Sequence, residues 1–590
     1  MTFQECTICL ASMKRGEGQA IFTAECSHSF HFSCIASNVK YGNKICPVCR
    51  AKWKEVPFPA TTNNPPVARR HVPAPVIPVN VPAVFNDDEA LDIPSSSNNT
   101  TDTTTAGSSF NRLLMETYTE VPAVPRLTAV DDFTLLVHLK APPSTSGVNS
   151  NQNSRAPVDL VTVLDISGSM YGTKLALVKQ AMGFVIENLG PADRLSVIVF
   201  SNTARRLFPL KKMSDTGKQH ALRAVNSLAA NSKTNIADGL RMSGKVMEDR
   251  REKNPVAGIM LLSDGQDSYG MDSSLVLRIQ FPIHAFGFGN DHDATLMHSI
   301  SERSRGTFSF IENESVIQDA FAQCIGGILS VVVKGIQVTI ESANPNILLR
   351  SLKAGSYKNQ LMPDRKSGSI DVGDLYADEE RDFLVSVNIP KETDERPGEK
   401  KKKKKKKSGV KETPLVKVNC HYTDPFTKET VRLVSENVKI KRPENVGEEN
   451  VVSIMVDKQR NRLQSAEAME QARKAAEEGD LTRAVSILEK FRKDLSETVS
   501  AKSGDRLCMA LDAELKEMQD RMARRHTYER SGRAFILSGV SSHKRQRASA
   551  RGRTFGARRG GYAYQTPAMD KMIALSKAYS GVKRSKIGPS

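Results

Sequence analysis

Residues 158–170, VDLVTVLDISGSM, carry an apolar run directly into a polar cluster. The run ends at Asp165, and Ser167 and Ser169 follow at two-residue spacing. A continuous apolar run is typical of a strand that is buried on both faces of a parallel sheet, and α/β domains bind ligands at the carboxyl ends of such strands. Because one carboxylate and two hydroxyls are hard oxygen donors, the stretch predicts a site for magnesium or manganese at the edge of a sheet.

The surrounding residues 157–330 alternate between apolar runs and segments with helical spacing. This alternation predicts a doubly wound α/β domain, with a parallel sheet covered by helices on both faces. Two further oxygen donors accompany these elements: Thr234 stands in SKTNIADGL before a predicted helix, and Asp264 follows the apolar run of IMLLSDGQD. We expect both donors to belong to the same metal site.

The five donors together resemble the complete metal-ion-dependent adhesion site of von Willebrand factor A domains. They are Asp165, Ser167, Ser169, Thr234 and Asp264. The resemblance implies a von Willebrand A domain over residues 157–330 that holds one magnesium or manganese ion. It also implies that an acidic side chain of a protein substrate completes the coordination of the metal, so that the domain binds a protein and does not hydrolyse one. A motif that is retained only to hold the loops together is the open alternative.

The first 50 residues hold six of the nine cysteines and two of the eleven histidines. They are spaced as Cys6-x2-Cys9-x16-Cys26-x-His28-x2-His31-x2-Cys34-x11-Cys46-x2-Cys49. Structural zinc takes four thiolate or imidazole ligands in a tetrahedron, and a C-x2-C turn brings two thiolates to one ion. Eight ligands therefore predict two closed zinc sites and two bound zinc ions.

The order and gaps of these ligands resemble the RING finger in its H2 form, over residues 1–56. The ligands of a RING interleave along the chain. The resemblance implies a first zinc site formed by Cys6, Cys9, His31 and Cys34. It implies a second zinc site formed by Cys26, His28, Cys46 and Cys49.

RING ubiquitin ligases dock a ubiquitin-conjugating enzyme beside their first and last ligand pairs. The residues that match this surface are Ile8 and Pro47, and Arg50 matches the basic linchpin that holds the enzyme-bound ubiquitin in its reactive pose. The resemblance implies a ubiquitin-protein ligase that carries no covalent intermediate, because its catalysis consists of positioning. The alternative is a metal-dependent interaction scaffold whose zinc finger is only structural.

The remaining sequence divides by composition. Residues 57–125 are rich in Pro, Ser, Thr and Asn and are expected to form a disordered tether. The segment 126–142 predicts one strand that joins a later sheet, and residues 331–445 predict an antiparallel, sandwich-like β domain. Residues 446–590 predict an α-helical hairpin, a basic loop and a final helix. A single helix pair lacks the repeats that a solenoid needs.

The formal net charge of +18 lies in two patches. Eight lysines follow one another at 400–407, and HKRQRASARGRTFGARRGG covers 543–561. We expect the lysine run to be an exposed loop, with a nuclear import signal or a phosphate-binding patch as alternatives. The second patch is expected to be a mobile loop, and RNA binding through it remains a third functional hypothesis. Nucleic acid is not expected as the main partner.

No charged leader with an apolar core and no run of 18 uncharged apolar residues is visible, which predicts a chain that is not secreted and does not enter a membrane. We expect a cytoplasmic and also a nuclear location. The whole order of domains resembles the plant wavy-growth family of RING ubiquitin ligases. The family implies a ubiquitin-conjugating enzyme with ubiquitin and a protein substrate as partners, and a role in root gravitropism and auxin responses.

Overall fold

The structure is a computed structural model. It describes residues 6, 21–31, 35, 46, 48–49, 51–52, 84–91, 112–144, 155–231, 233–270, 278–289, 292–392, 411–552 and 563–586. The chain forms two compact units, residues 1–81 and 82–590. The lysine run lies outside the described residues. Among the helices of the described ranges, none has the length and apolar character that crossing a bilayer requires.

The N-terminal unit contains a short antiparallel hairpin. Its strands are β1 (Ile21–Thr23) and β2 (Ser29–His31), and Ile21 pairs with His31. Ser27 takes a left-handed conformation, φ 63°, in the turn between the strands. The buried apolar side chains that the structure describes here are Cys6, Ala24, Phe30, Ile35 and Cys46. So small an apolar cluster does not stabilise a fold by itself, and natural modules of this size use a metal or a disulfide.

The first two strands of the larger unit belong to a later sheet. They are β3 (Leu114–Thr119) and β4 (Val130–Lys140), which pair with each other in antiparallel fashion. The tether expected over 57–125 is therefore wrong for its last residues, because β3 is held by a continuous ladder to β4. The ladder supplies backbone partners that the polar composition alone did not indicate.

The α/β domain follows. Its strands are β5 (Val158–Asp165), β6 (Arg194–Phe200), β7 (Ala204–Lys212), β8 (Val256–Ser263), β9 (Ile283–Phe288) and β10 (Phe308–Ile311). Its helices are α1 (Thr173–Asn188), α2 (Asp215–Asn226), α3 (Ile236–Glu248), α4 (Ala294–Arg303) and α5 (Ile317–Ile328). The sheet order is β10-β9-β8-β5-β6-β7, and all neighbours are parallel except β6 and β7. The predicted doubly wound parallel sheet is confirmed, with one antiparallel edge strand added.

Helices cover both faces of this sheet because alternate side chains of β5 enter different cores. Val161 and Val163 pack in the core that contains Leu240 of α3. Leu160 and Leu164 pack in the core that contains side chains of α1 and α5. A strand that is buried on both faces is apolar at most positions, which explains the nearly continuous run in the sequence, and its buried polar residues need partners inside the protein.

The β domain is a sandwich of two antiparallel sheets. Its further strands are β11 (Val331–Ser342), β12 (Leu349–Lys353), β13 (Lys358–Leu361), β14 (Ser367–Tyr376), β15 (Glu380–Ile389), β16 (Lys411–Thr423), β17 (Thr430–Val434) and β18 (Val438–Arg442). One sheet has the order β13-β14-β11-β16-β17 with β18 beside β16, and the other has the order β12-β15-β4-β3. One apolar core joins side chains of both sheets. The sandwich prediction is confirmed.

The C-terminal residues form α6 (Ile454–Glu477), α7 (Leu481–Ser496), α8 (Val499–Lys502), α9 (Arg506–Met522), α10 (Arg525–Thr527), α11 (Arg533–Arg545), β19 (Arg551–Gly552) and α12 (Pro567–Lys586). The predicted hairpin corresponds to α6 and α7. Gly479 makes its turn with a φ of 91°, and the Asp480 side chain accepts a hydrogen bond from the backbone N–H of Arg483 at 2.8 Å. Such a side chain satisfies one of the free N–H groups at a helix start.

The mobile basic loop expected from His543 is wrong for residues 543–552. His543 and Arg545 are buried, and β19 extends the α/β sheet by pairing in parallel with β10. The charges have partners: His543 Nε2 lies 2.9 Å from Glu514 Oε2, and Arg547 donates to both carboxylate oxygens of Glu379. This part of the basic patch is thus structural and not available to RNA, while residues 553–562 lie outside the described ranges.

A buried ion cluster closes the amino-terminal end of β5. Asp159 accepts two hydrogen bonds of 2.8 Å from Arg194 and one of 2.6 Å from Arg250. Asn254 donates to the same carboxylate at 3.0 Å. Asp159 is 0% exposed and Arg194 is 1% exposed, so neither charge can be compensated by water.

Replacing Asp159 with Ala should leave two buried guanidinium groups without their carboxylate. Because breaking a buried pair leaves an uncompensated charge, we expect the α/β domain to lose about 3–5 kcal/mol of unfolding free energy. Thermal and denaturant unfolding of the purified chain measure this loss. The control is Asp131→Ala, since the Asp131 side chain is 91% exposed; equal effects of the two substitutions would contradict the proposed importance of the cluster.

Candidate metal centres

Four of the predicted zinc ligands lie together in the N-terminal unit. One ligand atom from each of Cys26, His28, Cys46 and Cys49 lies within 4.8 Å of the others. The hairpin turn carries Cys26 and His28, and a backbone hydrogen bond of 2.9 Å from Cys46 to Ala51 closes the turn that carries the other pair. A tetrahedral zinc ion with bonds of about 2.0–2.3 Å needs ligand atoms less than about 4 Å apart, and the spacing of this group is of that order.

The chemistry of the four side chains also fits zinc. His28 Nδ1 is buried and has no hydrogen-bond partner among the described residues. The backbone N–H of Ala51 lowers the pKa of Cys49, but desolvation and the neighbouring thiols of Cys26 and Cys46 outweigh it and raise the pKa. A crowded group of thiols is held in the thiolate form by a cation, which zinc would supply.

The other predicted zinc set is described only in part. The backbone N–H of His31 points to Cys6 Sγ at 3.4 Å, which brings these two predicted ligands close together. Cys9 and Cys34 lie outside the described residues, as do Ile8, Pro47 and Arg50. Ligation by this set and the enzyme-docking role of the last three residues therefore remain predictions.

The five predicted oxygen donors meet at the carboxyl edge of the α/β sheet. Asp165 ends β5, Asp264 follows β8, and these strands are parallel neighbours. Ser167 and Ser169 lie in the turn after β5, with their hydroxyl oxygens 3.0 Å apart, and Ser169 Oγ donates to Asp264 Oδ1 at 2.7 Å. The two loops are thus joined through one hydroxyl, which is the arrangement that the spacing predicts.

Thr234 reaches the same place from the start of α3. A Cβ atom built on Gly265 would lie 3.3 Å from Thr234 Oγ1 and 3.7 Å from Ser169 Oγ, so both hydroxyls border this glycine. Gly239 lets α3 approach the sheet closely, because a Cβ there would lie 2.9 Å from Val163 Cγ1. A larger residue at 239 would push away the helix that carries Thr234.

The site is electrostatically prepared for a cation. Burial, with a smaller contribution from the nearby charge of Asp264, raises the pKa of Asp165 to about 6, and the hydrogen bonds from Ser167 and Ser263 oppose this rise. Lys174 Nζ lies 2.5 Å from Asp264 Oδ2. Two adjacent buried carboxylates need positive charge nearby. Hydroxyl and carboxylate oxygens are the donors that magnesium and manganese prefer, so the residues fit the predicted ion.

Sequence reasoning missed Ser263 and Lys174. Ser263 Oγ donates to Asp165 Oδ2 at 2.6 Å and thereby fixes the orientation of the carboxylate. The signal for Ser263 was its place next to Asp264, at the end of a strand that is parallel to β5. Lys174 stands one residue inside α1, a short distance after the serines, but its direction depends on how the helix packs on the sheet.

Sequence profiles of known domains match parts of the chain. The sequence profile of the von Willebrand factor type A domain matches residues 159–323, and that of a RING-like zinc finger matches residues 5–35. A third profile, "VWA / Hh protein intein-like", matches residues 505–578. Among solved structures, a von Willebrand factor type A protein from Catenulispora acidiphila superposes with a TM-score of 0.51 at 19% identity, over 69% of this chain and 91% of that one. This likeness concerns the fold alone.

Relatives of similar domain content occur in Arabidopsis thaliana. E3 ubiquitin-protein ligase WAV3 is 29% identical over an alignment that is 586 residues long. The alignment covers 87% of this chain and 74% of WAV3. Probable E3 ubiquitin-protein ligase WAVH2 is 30% identical over 564 residues, which cover 87% of this chain and 73% of WAVH2. E3 ubiquitin-protein ligase WAVH1 matches to a similar extent. With identity of this level across most of both chains, the protein belongs to the family of RING and von Willebrand A domain ubiquitin-protein ligases that includes WAV3, WAVH1 and WAVH2.

Proposed function

We propose that the protein is a RING-type ubiquitin-protein ligase. Its N-terminal zinc module recruits a ubiquitin-conjugating enzyme that carries ubiquitin, and its von Willebrand A domain with the following domains binds the protein substrate. The observation that carries the proposal is the relationship to named ubiquitin ligases over 87% of the chain. The group of Cys26, His28, Cys46 and Cys49 supports it, because four such side chains can hold a structural zinc ion of the kind that a RING finger needs.

The zinc module acts by positioning. Two zinc ions, when bound, fix the loops that carry Ile8, Pro47 and Arg50. Val48, the neighbour of Pro47, has 45% of its surface exposed, and an apolar side chain there suits contact with another protein. Arg50 holds ubiquitin in the pose in which a substrate lysine attacks its thioester, so the reaction gains rate from orientation.

The chain itself carries no thioester in this mechanism. Its three cysteines outside the zinc module are Cys324, Cys420 and Cys508. Burial raises the pKa of all three thiols, to about 12 for Cys420, and a thiol with a raised pKa is a poor acceptor for ubiquitin. This state of the thiols supports direct transfer from the conjugating enzyme to the substrate.

The second metal site serves substrate binding in this proposal. Asp165, Ser167, Ser169, Thr234 and Asp264 would hold magnesium or manganese. When bound, the ion would supply a positive charge that attracts a carboxylate of the substrate. The cytoplasmic and nuclear location and the role in root gravitropism and auxin responses stay predictions from the family resemblance.

Autoubiquitination tests the ligase proposal directly. The full chain, assayed with a panel of conjugating enzymes, should form ubiquitin conjugates, and Cys46→Ala or Ile8→Ala should reduce their rate at least tenfold because docking requires the zinc-held loops. Cys324→Ala is the control, since this thiol lies far along the sequence in the α/β domain. Conjugation at the wild-type rate by the first two variants would refute the proposal, and a wild-type chain inactive with every enzyme would favour the scaffold alternative.

Zinc analysis tests the structural part separately. The purified chain should contain two zinc ions per molecule, and Cys46→Ser should remove one of them because it leaves the second site with three ligands. Elemental analysis by mass spectrometry measures the content. A wild-type content below one ion, or an unchanged content in the variant, would contradict the assignment.

Manganese binding tests the site in the α/β domain. Asp165→Ala should weaken manganese binding to the full chain at least tenfold, since it removes a carboxylate from the predicted ligand set. Isothermal titration of manganese into the zinc-loaded chain measures the affinity, because the zinc sites are then already filled. The paramagnetic effect of bound manganese on water relaxation measures it independently. Asp215→Asn, a change in the first turn of α2, is the control. An affinity that is the same in both variants would show that these donors do not hold the ion.

A further inference from the structure

The segment 84–91, VFNDDEAL, lies along the antiparallel edge strand of the α/β sheet. The backbone N–H of Glu89 donates to the carbonyl of Leu210 at 2.9 Å. The backbone N–H groups of Leu210 and Lys212 donate to Asp88 Oδ1 at 3.0 Å and to Glu89 Oε2 at 2.7 Å. The segment therefore covers hydrogen-bonding groups of β7 that an edge strand otherwise leaves free.

An aromatic side chain anchors the segment. Phe85 is only 4% exposed, and the guanidinium carbon of Arg206 lies 3.9 Å from the centre of its ring. Lys245 Nζ lies 5.3 Å from the same centre, and the backbone N–H of Phe85 donates to Asp249 Oδ2 at 2.8 Å. Two cations facing one ring form a pocket that favours an aromatic residue.

The acidic side chains of the segment match basic ones on the domain. Arg206 binds both carboxylate oxygens of Asp87, at 2.6 and 2.7 Å, and Lys211 Nζ lies 2.6 Å from Glu89 Oε1. Burial alone would raise the pKa of Glu89, but the hydrogen bonds from Lys211 and from the Lys212 backbone outweigh it and lower the pKa. Glu89 is thus bound in its charged form, whereas burial raises the pKa of Asp88.

The surface formed by β6, β7 and α3, here called the groove, also binds the main-chain carbonyl of Glu89. Arg194 NH1 donates to the carbonyl oxygen of Glu89 at 2.9 Å, while its other nitrogens bind Asp159 and the carbonyl of Glu252. Arg194 is 1% exposed and is held by the ion cluster in the domain. A buried donor that is fixed by the domain and aimed at a bound main chain is typical of a preformed peptide site.

The basic groups that contact the segment lie on strands and a helix of the α/β domain. Arg194, Leu210 and Arg206 lie on β6 and β7, and Lys245 lies on α3. The segment itself has neither helix nor strand and contributes one anchored ring. The side chains of Asp87 and Glu89 stay 53% and 38% exposed in their ion pairs, and such pairs contribute little to stability each. The segment is therefore held mainly by the Phe85 ring and the main-chain contacts, which another peptide of the same chemistry can reproduce.

We propose that this groove is a binding site for a peptide of a partner protein, and that residues 84–91 are its resident ligand. The partner segment carries an aromatic residue followed by acidic residues at the second, third and fourth positions after it, as Phe85, Asp87, Asp88 and Glu89 do. The partner displaces the chain's own segment. This proposal does not depend on ubiquitin transfer. It also does not depend on the candidate magnesium site, which lies at the carboxyl end of β5, whereas Arg194 binds Asp159 at the amino-terminal end of the strand.

A binding assay with a labelled peptide of residues 82–93 tests the proposal. The full chain with Phe85→Ala, Asp87→Ser, Asp88→Ser and Glu89→Ser has an open groove and should bind the peptide, at least tenfold more tightly than the wild-type chain does. Fluorescence anisotropy measures the affinity, which should fall as salt is raised because the contacts are ionic. A peptide with serine at its three central acidic positions should not bind.

Two neighbouring arginines provide a matched pair of variants. Adding Arg206→Glu to the open chain should abolish binding, whereas Arg205→Glu, at an exposed position that points away from the segment, should leave binding unchanged. Failure of a folded open chain to bind, equal binding by the wild-type chain, or indifference to Arg206 would overturn the proposal.

A milder variant covers the case in which the open chain does not fold. In Phe85→Ala, the amide protons of Leu210 and Lys212 should exchange with solvent at least tenfold faster than in the wild-type chain, and added peptide should restore their protection. Exchange that is unchanged by the substitution, or protection that the peptide does not restore, would equally overturn the proposal.

Discussion

The packing of β5 between two layers of helices is the constraint on which the rest of the large unit depends. The strand is fully buried, so the polar groups at its ends must find partners inside the protein. At its start Asp159 binds Arg194 and Arg250, and at its end Asp165 accepts hydrogen bonds from Ser167 and Ser263. One strand therefore fixes a structural ion cluster at one edge of the sheet and the group of oxygen donors proposed to bind a cation at the other.

The α/β fold and the grouping of its oxygen donors at one edge of the sheet could be predicted because local signals were strong. The apolar runs revealed the parallel strands, and the carboxyl ends of β5 and β8 must lie side by side once those strands are neighbours. The zinc ligands were equally visible, since cysteine pairs at two-residue spacing have few other uses. Their pairing into two sites came from family resemblance, and the proximity of Cys26, His28, Cys46 and Cys49 agrees with it for the set that the structure describes in full.

Composition led to wrong predictions of mobile segments where polar residues have partners far away in the sequence. The basic stretch that begins at His543 is buried because Glu514 and Glu379, far away in sequence, face it. The segment 84–91 lies in a region rich in proline and polar residues, yet its acids meet Arg206 and Lys211 more than a hundred residues later. Charge and composition show that a buried charged residue requires a partner of opposite charge. They do not show whether a distant part of the sequence brings such a partner to it.

Strand β19 has a consequence for the synthesis of the chain. Phe310 of β10 pairs with Arg551, so 241 residues separate an edge of the sheet from the strand that covers it (551 − 310). At about 5–20 residues per second, the ribosome needs about 12–48 seconds to make that stretch. During this interval the nascent α/β domain exposes the unpaired side of β10, the kind of edge at which chains aggregate. The C-terminal residues thus complete the domain late, and chaperones that bind exposed strands have a defined period in which to act.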